Sequence, residues 1–276
     1  MKNKNHLAKA FRDLHRARQA FLLPNVWDPF SAKLVEKAGF PAIGTASIAV
    51  AAVNNYLDGE KIPFDALTDV VRRIDAVVDR PITVDMESGY GSDISILKDN
   101  VQQLIAAGAV GVNIEDALPG SSGLLPLKEQ CSRITAVKKA AEECGVDLFI
   151  NARTDVLLHK GIQSAYEDLL RRGKAYRDAG ADCFYPILID SYLQIEKLVY
   201  GLDMPVNVLL IPAISSITAL KSCGVARISL GPGLLKYLVQ DAMDVLDALK
   251  AGDTIAYFLA SNRNPDFLNE LVSGSN

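Results

Sequence analysis

The sequence predicts an α/β chain folded as a (β/α)8 TIM-type barrel, on three observations. Eight short runs rich in Val, Ile, Leu and Phe, at 21–24, 42–45, 82–86, 111–115, 148–153, 183–187, 206–210 and 226–230, alternate with helical patterns. The runs are mostly continuous rather than alternating, as strands covered by helices on both faces must be. Helical stretches stop at Gly39, Gly108, Gly145, Gly180 and Gly224 just before the next run, where left-handed backbone closes a helix. Eight β-then-α units in order indicate a barrel. A doubly wound open sheet has the same element order, because periodicity does not report closure.

Taken in order, the helical stretches are Pro29–Gly39, Phe64–Val78, Ser95–Gly108, Leu127–Gly145, Ser164–Gly180 and Ser191–Tyr200. After the eighth run comes more helix than a barrel needs: Leu234–Ala251, Thr254–Ser261 and Pro265–Leu271. No low-complexity segment or internal linker interrupts the chain. The expectation is one domain over 1–276, with 234–276 as a helical extension that packs beneath the barrel or reaches a neighbouring subunit.

Composition narrows the function. With 276 residues, 49% hydrophobic and 22% charged, the chain can bury a sizeable core, which argues against disorder. The net charge of −4 gives nucleic-acid binding no electrostatic support. No apolar run reaches the about 18 residues of a membrane span. Residues 1–10 carry charge with no apolar stretch after them, so no signal peptide is expected. Cys131, Cys144, Cys183 and Cys223 are scattered and form no CxxC pair, which points to reduced thiols in a cytoplasmic protein.

Active sites of such barrels sit at the C-terminal rim of the strands. There the chain places Trp27-Asp28, Thr45-Ala46-Ser47, Asp85 with Glu87, Glu115 with Asp116, Arg153 with Asp155, Asn207 and Gly231. Asp85 and Glu87, two apart on a strand, are expected to leave the same face. With Glu115 from the next strand they supply the hard oxygens that Mg²⁺ or Mn²⁺ prefers, several waters being retained. The plainer alternative is that these acids cap helices or pair with barrel arginines, and for Asp116 and Asp155 that alternative stands level. Arg153 offers a fork for a substrate carboxylate, or a structural ion pair with a rim acid.

The small turn Gly44-Thr45-Ala46-Ser47 lets backbone N–H groups approach an oxyanion. Leu118-Pro119-Gly120-Ser121-Ser122-Gly123 follows the Glu115 strand as a lid would, and Gly231-Pro232-Gly233 offers a phosphate cradle or a plain helix start. His6, His15 and His159 show no metal spacing. His15, on the basic face of an N-terminal helix, reads as solvated surface, and Cys131 reads as packing.

From about Pro24 to about Leu235 the chain resembles the isocitrate lyase and phosphoenolpyruvate mutase superfamily. The matching motifs are Pro24-Asn25-Val26-Trp27-Asp28, Gly44-Thr45-Ala46-Ser47, Leu57-Asp58-Gly59-Glu60 and Val84-Asp85-Met86-Glu87-Ser88-Gly89-Tyr90-Gly91. Val112-Asn113-Ile114-Glu115-Asp116, Asn151-Ala152-Arg153-Thr154-Asp155, Val206-Asn207-Val208-Leu209 and Gly224-Val225-Ala226-Arg227-Ile228-Ser229 complete the series.

The resemblance implies a Mg²⁺-dependent barrel acting on α-keto-acid-like substrates through an enolpyruvate-type intermediate. By position, Asp85, Glu87 and Glu115 would hold the metal, and Asp58 would organise its water shell. Arg153 and the Thr45, Ala46 and Ser47 backbone would grip the substrate's carboxylate and keto oxygen, with Asn207 lining the pocket. Arg153, Asp58 and Ser47 are thus the expected catalytic residues. It also implies a homotetramer exchanging C-terminal helices.

The lyases of the superfamily carry a Lys-Lys/Arg-Cys-Gly-His lid, whose Cys is the general acid. Pro119-Gly120-Ser121-Ser122-Gly123 stands there instead, and Cys131 lies too far along to replace it. The Lys and Asn of the mutase and hydrolase lids are missing too. The expected activity is carbon–carbon cleavage or decarboxylation of a small α-keto or 2-hydroxy dicarboxylate. A phosphorus–carbon bond enzyme and a non-catalytic acid-binding barrel are the alternatives.

Overall fold

Pro24 divides the first of the eight runs. In the computed structural model, which describes residues 2–17, 19–121, 123–159, 165–253, 256 and 266–273, this run forms two pieces. β1 (Phe21–Leu23) pairs in parallel with β9 (Arg227–Ser229), while β2 (Asn25–Val26) pairs with β3 (Ile43–Thr45). Proline has no N–H to give to a ladder, so the strand changes neighbours there. β4 (Ile82–Asp85), β5 (Gly111–Glu115), β6 (Phe149–Thr154) and β7 (Cys183–Pro186) follow, each parallel to the strand before it.

β8 (Asn207–Leu209) pairs with β9, and a parallel bridge between Phe184 and Val206 joins β7 to β8. The Phe184 N–H donates to the Pro205 carbonyl at 2.9 Å in the same seam. The ring is closed, which removes the open-sheet alternative.

Around it run α1 (Lys4–Arg16), α2 (Pro29–Lys37), α3 (Ser47–Val53), α4 (Phe64–Asp75), α5 (Ile94–Ala107), α6 (Leu127–Glu143), α7 (Ala165–Asp178), α8 (Tyr192–Leu202), α9 (Ile217–Ser222) and α10 (Gly233–Ala251). A last helix, α11, spans Phe267–Ser273. The expected helix at 254–261 lies outside the described residues except for Ala256. The short α3 and α9 were not expected, being too brief to show a helical period. Local chemistry starts the longer helices: Asp28 and Ser31 form a reciprocal capping box ahead of α2, with Pro29 in the first turn.

Strand residues facing outward, among them Val84, Val112, Ile114, Ile150 and Val208, pack against helix residues such as Leu67, Val71, Val101 and Leu104. Each such side chain, fully buried, contributes about 1.5–3 kcal/mol. Inward-facing residues form a second, smaller cluster at the N-terminal mouth, where α1 inserts Phe11 against Phe21, Leu23, Phe149 and Cys183. Gly111 makes room for this plug, since a Cβ there would lie 3.0 Å from the Phe11 ring.

His15 belongs to the plug, which corrects its reading as solvated surface. It is 3% exposed and stacks on Phe149 with ring centroids 3.9 Å apart. One turn after Phe11, it shares that residue's inward stripe, and only the flanking arginines form the basic face. Arg12 bonds Asp147 at 2.8 Å and also Asp182, tying α1 to the barrel floor.

Between plug and rim the barrel interior is polar. Thr83, Asn113, Asn151, Asn207 and Arg227 are all buried there, where such barrels mostly place Val, Ile and Leu. Beyond the barrel, α10 buries Val245 but exposes Tyr237, Leu238, Val239, Met243, Leu246 and Leu249. α11 returns to α2, burying Leu271 and setting Phe267 under Lys37, 5.3 Å from the ring centroid. Among the described residues no helix is long and apolar enough to cross a membrane, and the four cysteines are free thiols.

Candidate active site

At the C-terminal rim a small cavity, about 90 Å³, opens between the strand ends. Ala46, Ser47, Asp58, Asp85 and Arg153 line it, together with Asn25, Asn113, Tyr185, Leu209, Ser229 and Gly231.

β4 ends at Asp85, whose carboxylate reaches the cavity and accepts the Ser47 N–H at 3.3 Å. Its own N–H donates to Thr45 Oγ1 at 2.9 Å, so Thr45 positions Asp85 rather than lining the cavity. The turn therefore has fewer free N–H donors than the sequence suggests: Ser47 N–H serves Asp85, and Ala46 N–H serves the Val26 carbonyl.

Glu87 does not continue the strand. Its φ of +51° breaks the alternation that was to put it beside Asp85. Its carboxylate instead accepts the Glu60 N–H at 2.8 Å and the Tyr90 hydroxyl at 3.3 Å. Glu60 in turn accepts the Tyr90 N–H at 2.9 Å and the Ser88 hydroxyl at 2.5 Å, which latches the Asp58 loop onto the loop after β4. Glu60 and Tyr90 also have positive φ, so three non-glycine residues hold strained backbone in one place. Arg133 of α6 clamps the same loop by donating to the carbonyls of Ser88, Gly91 and Ser92.

Glu115 and Arg153 form an ion pair at 2.8 Å, and Asp155 takes the other side of the guanidinium with bonds of 2.7 and 2.8 Å. The plainer reading of Arg153 therefore holds in this state, although two of its five N–H groups remain unengaged. Asp116 is structural: fully buried, it accepts from Thr154 (2.6 Å), the Asp155 N–H (2.9 Å), Tyr176 (2.6 Å) and Arg172 (3.1 Å). Asn207 lies below the cavity, accepting from Ser229 at 3.2 Å and leaving Nδ2 without a partner.

The Gly231 corner is filled from within, because Asn25 Oδ1 accepts the Leu230 and Gly231 N–H groups at 3.0 and 2.8 Å. No phosphate cradle is left open there. An Ala117–Leu124 bridge joins the two sides of the loop after β5, and none of the loop's described residues lines the cavity.

The electrostatics match this crowding. Burial raises the pKa of Asp85 against the pull of Arg153. Burial, aided by the neighbouring charges of Asp85, Asp58 and Glu60, pushes Glu87 to about 7. Glu115 also rises well above the usual carboxylate range, chiefly through burial. The Tyr185 phenol is pushed up to about 12 by burial and stays protonated at neutral pH. Among the described residues no three His, Cys, Asp or Glu side chains are gathered into one ligating cluster. Asp85 faces the cavity directly, while Glu87 and Glu115 stand behind it with partners of their own.

Residues 11–250 match the family model described as phosphoenolpyruvate phosphomutase. The chain belongs to this phosphoenolpyruvate mutase family. Its superfamily comprises carbon–carbon lyases and mutases, and the chain is an enzyme of that group. A crystal structure of a putative phosphonomutase from Burkholderia cenocepacia J2315 is 40% identical, with a TM-score of 0.82, covering 90% of this chain and 100% of that one. A probable 2-methylisocitrate lyase 2 of Corynebacterium glutamicum is 33% identical over 71% of this chain and 64% of its own. Oxaloacetate decarboxylase of Pseudomonas putida is 31% identical over 71% of this chain and 68% of its own.

Asn25, Asn113, Tyr185 and Ser229 were missed as cavity residues. A signal was present: asparagines at 25, 113, 151 and 207 interrupt otherwise apolar strands, where burial demands a partner or a ligand.

Proposed function

We propose that this family member is a Mg²⁺-dependent carbon–carbon lyase, cleaving or decarboxylating a small, oxaloacetate-like α-keto or 2-hydroxy dicarboxylate through an enolpyruvate-type intermediate. One observation carries the reading: Asp58 and Asp85 line the same small cavity as Arg153. The relatives named as a lyase and a decarboxylase support it.

The donor set fits a hard divalent ion. Glu87 and Glu115 each count the Asp85 charge among the causes of their raised pKa, and a cation relieves the same repulsion that a proton relieves. Asp85 would hold the ion from the cavity, with Glu87 and Glu115 acting through water and Asp58 ordering the water shell. One or two carboxylates plus retained waters is the usual habit of Mg²⁺, and Mn²⁺ suits the same oxygens. When bound, the ion supplies Lewis-acid polarisation of the keto and carboxylate oxygens.

The chain's own residues would do the rest. Arg153 offers its two unengaged N–H groups to a substrate carboxylate. The Ser47 N–H, which donates to Asp85 in this state, would be the turn's donor to a substrate oxygen. Tyr185 keeps its proton at neutral pH and so presents a donor at the cavity wall.

The test is a panel of 2-keto and 2-hydroxy diacids assayed with and without Mg²⁺. Metal-dependent turnover that disappears in Asp85→Ala is the expected outcome, and full activity without metal would sink the proposal. A second reading, cleavage or rearrangement of a phosphorus–carbon bond, is favoured by the 40%-identical structure described as a putative phosphonomutase. Incubation with phosphonopyruvate followed by ³¹P NMR separates the two, because a new phosphorus signal belongs to the second alone.

Assembly as a homotetramer that exchanges C-terminal helices is part of the proposal. It is supported by the apolar face α10 leaves exposed, from Tyr237 to Leu249. Light scattering coupled to gel filtration tests it, and a monomer at micromolar concentration would refute it. A cytoplasmic location is proposed on the free thiols.

A further inference from the structure

Arg227 is 1% exposed, and its side chain makes a single hydrogen bond, from Nη2 to Asn113 Oδ1 at 3.0 Å. Nε and Nη1 have no partner, and no carboxylate pairs with this guanidinium among the described residues. Burying a cation with so little compensation is expensive, and an apolar side chain of similar volume packs there more cheaply. The one group it touches is an asparagine that lines the cavity.

Asn113 Oδ1 also accepts from Asn151 Nδ2 at 2.8 Å, so both oxygen lone pairs point down into the barrel. Asn113 Nδ2 has no protein partner among the described residues and is left to the cavity. An amide is usually free to turn over, since its two ends have nearly the same shape. Here Asn113 and Asn151 turned together would keep a hydrogen bond between them, with Asn113 Nδ2 donating to Asn151 Oδ1. That alternative is blocked by Arg227. A guanidinium only donates, so it meets an oxygen favourably and an NH₂ group badly.

We propose that Arg227 is a positioning residue that fixes Asn113 with its NH₂ group toward the cavity, so that the floor selects a ligand presenting an anionic oxygen there. This rests on the reading of the cavity as a small-diacid site. Arg227 touches no ligand and acts through Asn113.

The test uses the full chain with Mg²⁺, and oxalate and oxamate as calorimetric probes. The two differ by one carboxylate replaced with a carboxamide. Wild type is expected to prefer oxalate. Arg227→Met should reduce the oxalate-to-oxamate affinity ratio by about tenfold, the order of one hydrogen bond to a charged oxygen. Arg227→Lys, still a donor only, should restore most of the ratio, whereas a packing role alone would not distinguish the two probes.

Asn113→Asp leaves Arg227 in place and turns the floor into an acceptor, so it should weaken oxalate more than oxamate. This variant keeps the question answerable if Arg227→Met does not fold. An unchanged ratio in folded Arg227→Met, or in Asn113→Asp, overturns the inference while leaving the proposed function standing. Failure of wild type to bind either probe overturns the proposed function, and the inference with it.

Discussion

At the N-terminal mouth of the barrel, Phe11, His15, Phe21 and Phe149 pack into an aromatic plug, whereas at the C-terminal rim Glu115, Asp155 and Asp85 gather at Arg153, with Asp58 and Glu87 adding to the repulsion on Asp85 and on one another. The energetics of the two ends oppose each other. The plug gains from every contact it makes. The rim retains mutual repulsion and three strained backbone positions, which fold stability elsewhere must offset. Stability and chemistry thus occupy opposite ends of one set of strands, as the architecture allows.

Separate disruption of each end is the sharpest check on that contrast. Asp85→Ala should lower metal-dependent turnover by about a thousandfold. The metal-free variant should melt no lower than wild type, because a repelling charge has gone. A large fall in melting temperature would mean that Asp85 serves the fold. Phe149→Ala should do the reverse, costing about 3–5 kcal/mol in denaturant unfolding. Activity per folded molecule should stay near wild type, and an equal loss of activity would join the two ends.

The smallest effect concerns His15. Burial, then the nearby Arg227 charge, holds its pKa well below the ordinary value, so the native ring is neutral. In the unfolded chain it takes up a proton near pH 6.5, so its contribution to stability is complete above that value and declines as pH falls below it. The slope is at most about 1.4 kcal/mol per pH unit. His15→Phe should flatten it between pH 6.5 and 5 in urea titrations, and an unchanged slope would place the proton uptake elsewhere.

The same contrast explains what the sequence disclosed. Continuous apolar strands and glycine helix stops are local signals, and they located the barrel strands within a residue or two. Pro24 was visible, but the change of neighbour it causes was not, since pairing partners are set by the whole ring. At the rim, residue type and order were legible for Asp85, Glu115 and Arg153. Their partners were not: the φ of Glu87 comes from the latch to Glu60, and the occupied Gly231 corner comes from Asn25, some two hundred residues earlier. His15 departs from the expectation because the basic helix face consists of its flanking arginines alone, while His15 shares the inward stripe of Phe11.

Arg133 has a consequence for protein engineering. By donating to three carbonyls of the loop after β4, it makes that loop and α6 a single inherited unit, although β5 separates them in the chain. Gly89 adds to the bond, since a Cβ there would lie 2.4 Å from Leu97 and 3.3 Å from Arg133. Grafting the Glu87 loop onto another barrel therefore requires moving an arginine and its helix along with it. A residue of the outer helical layer thus holds the backbone on which the rim acid Glu87 sits.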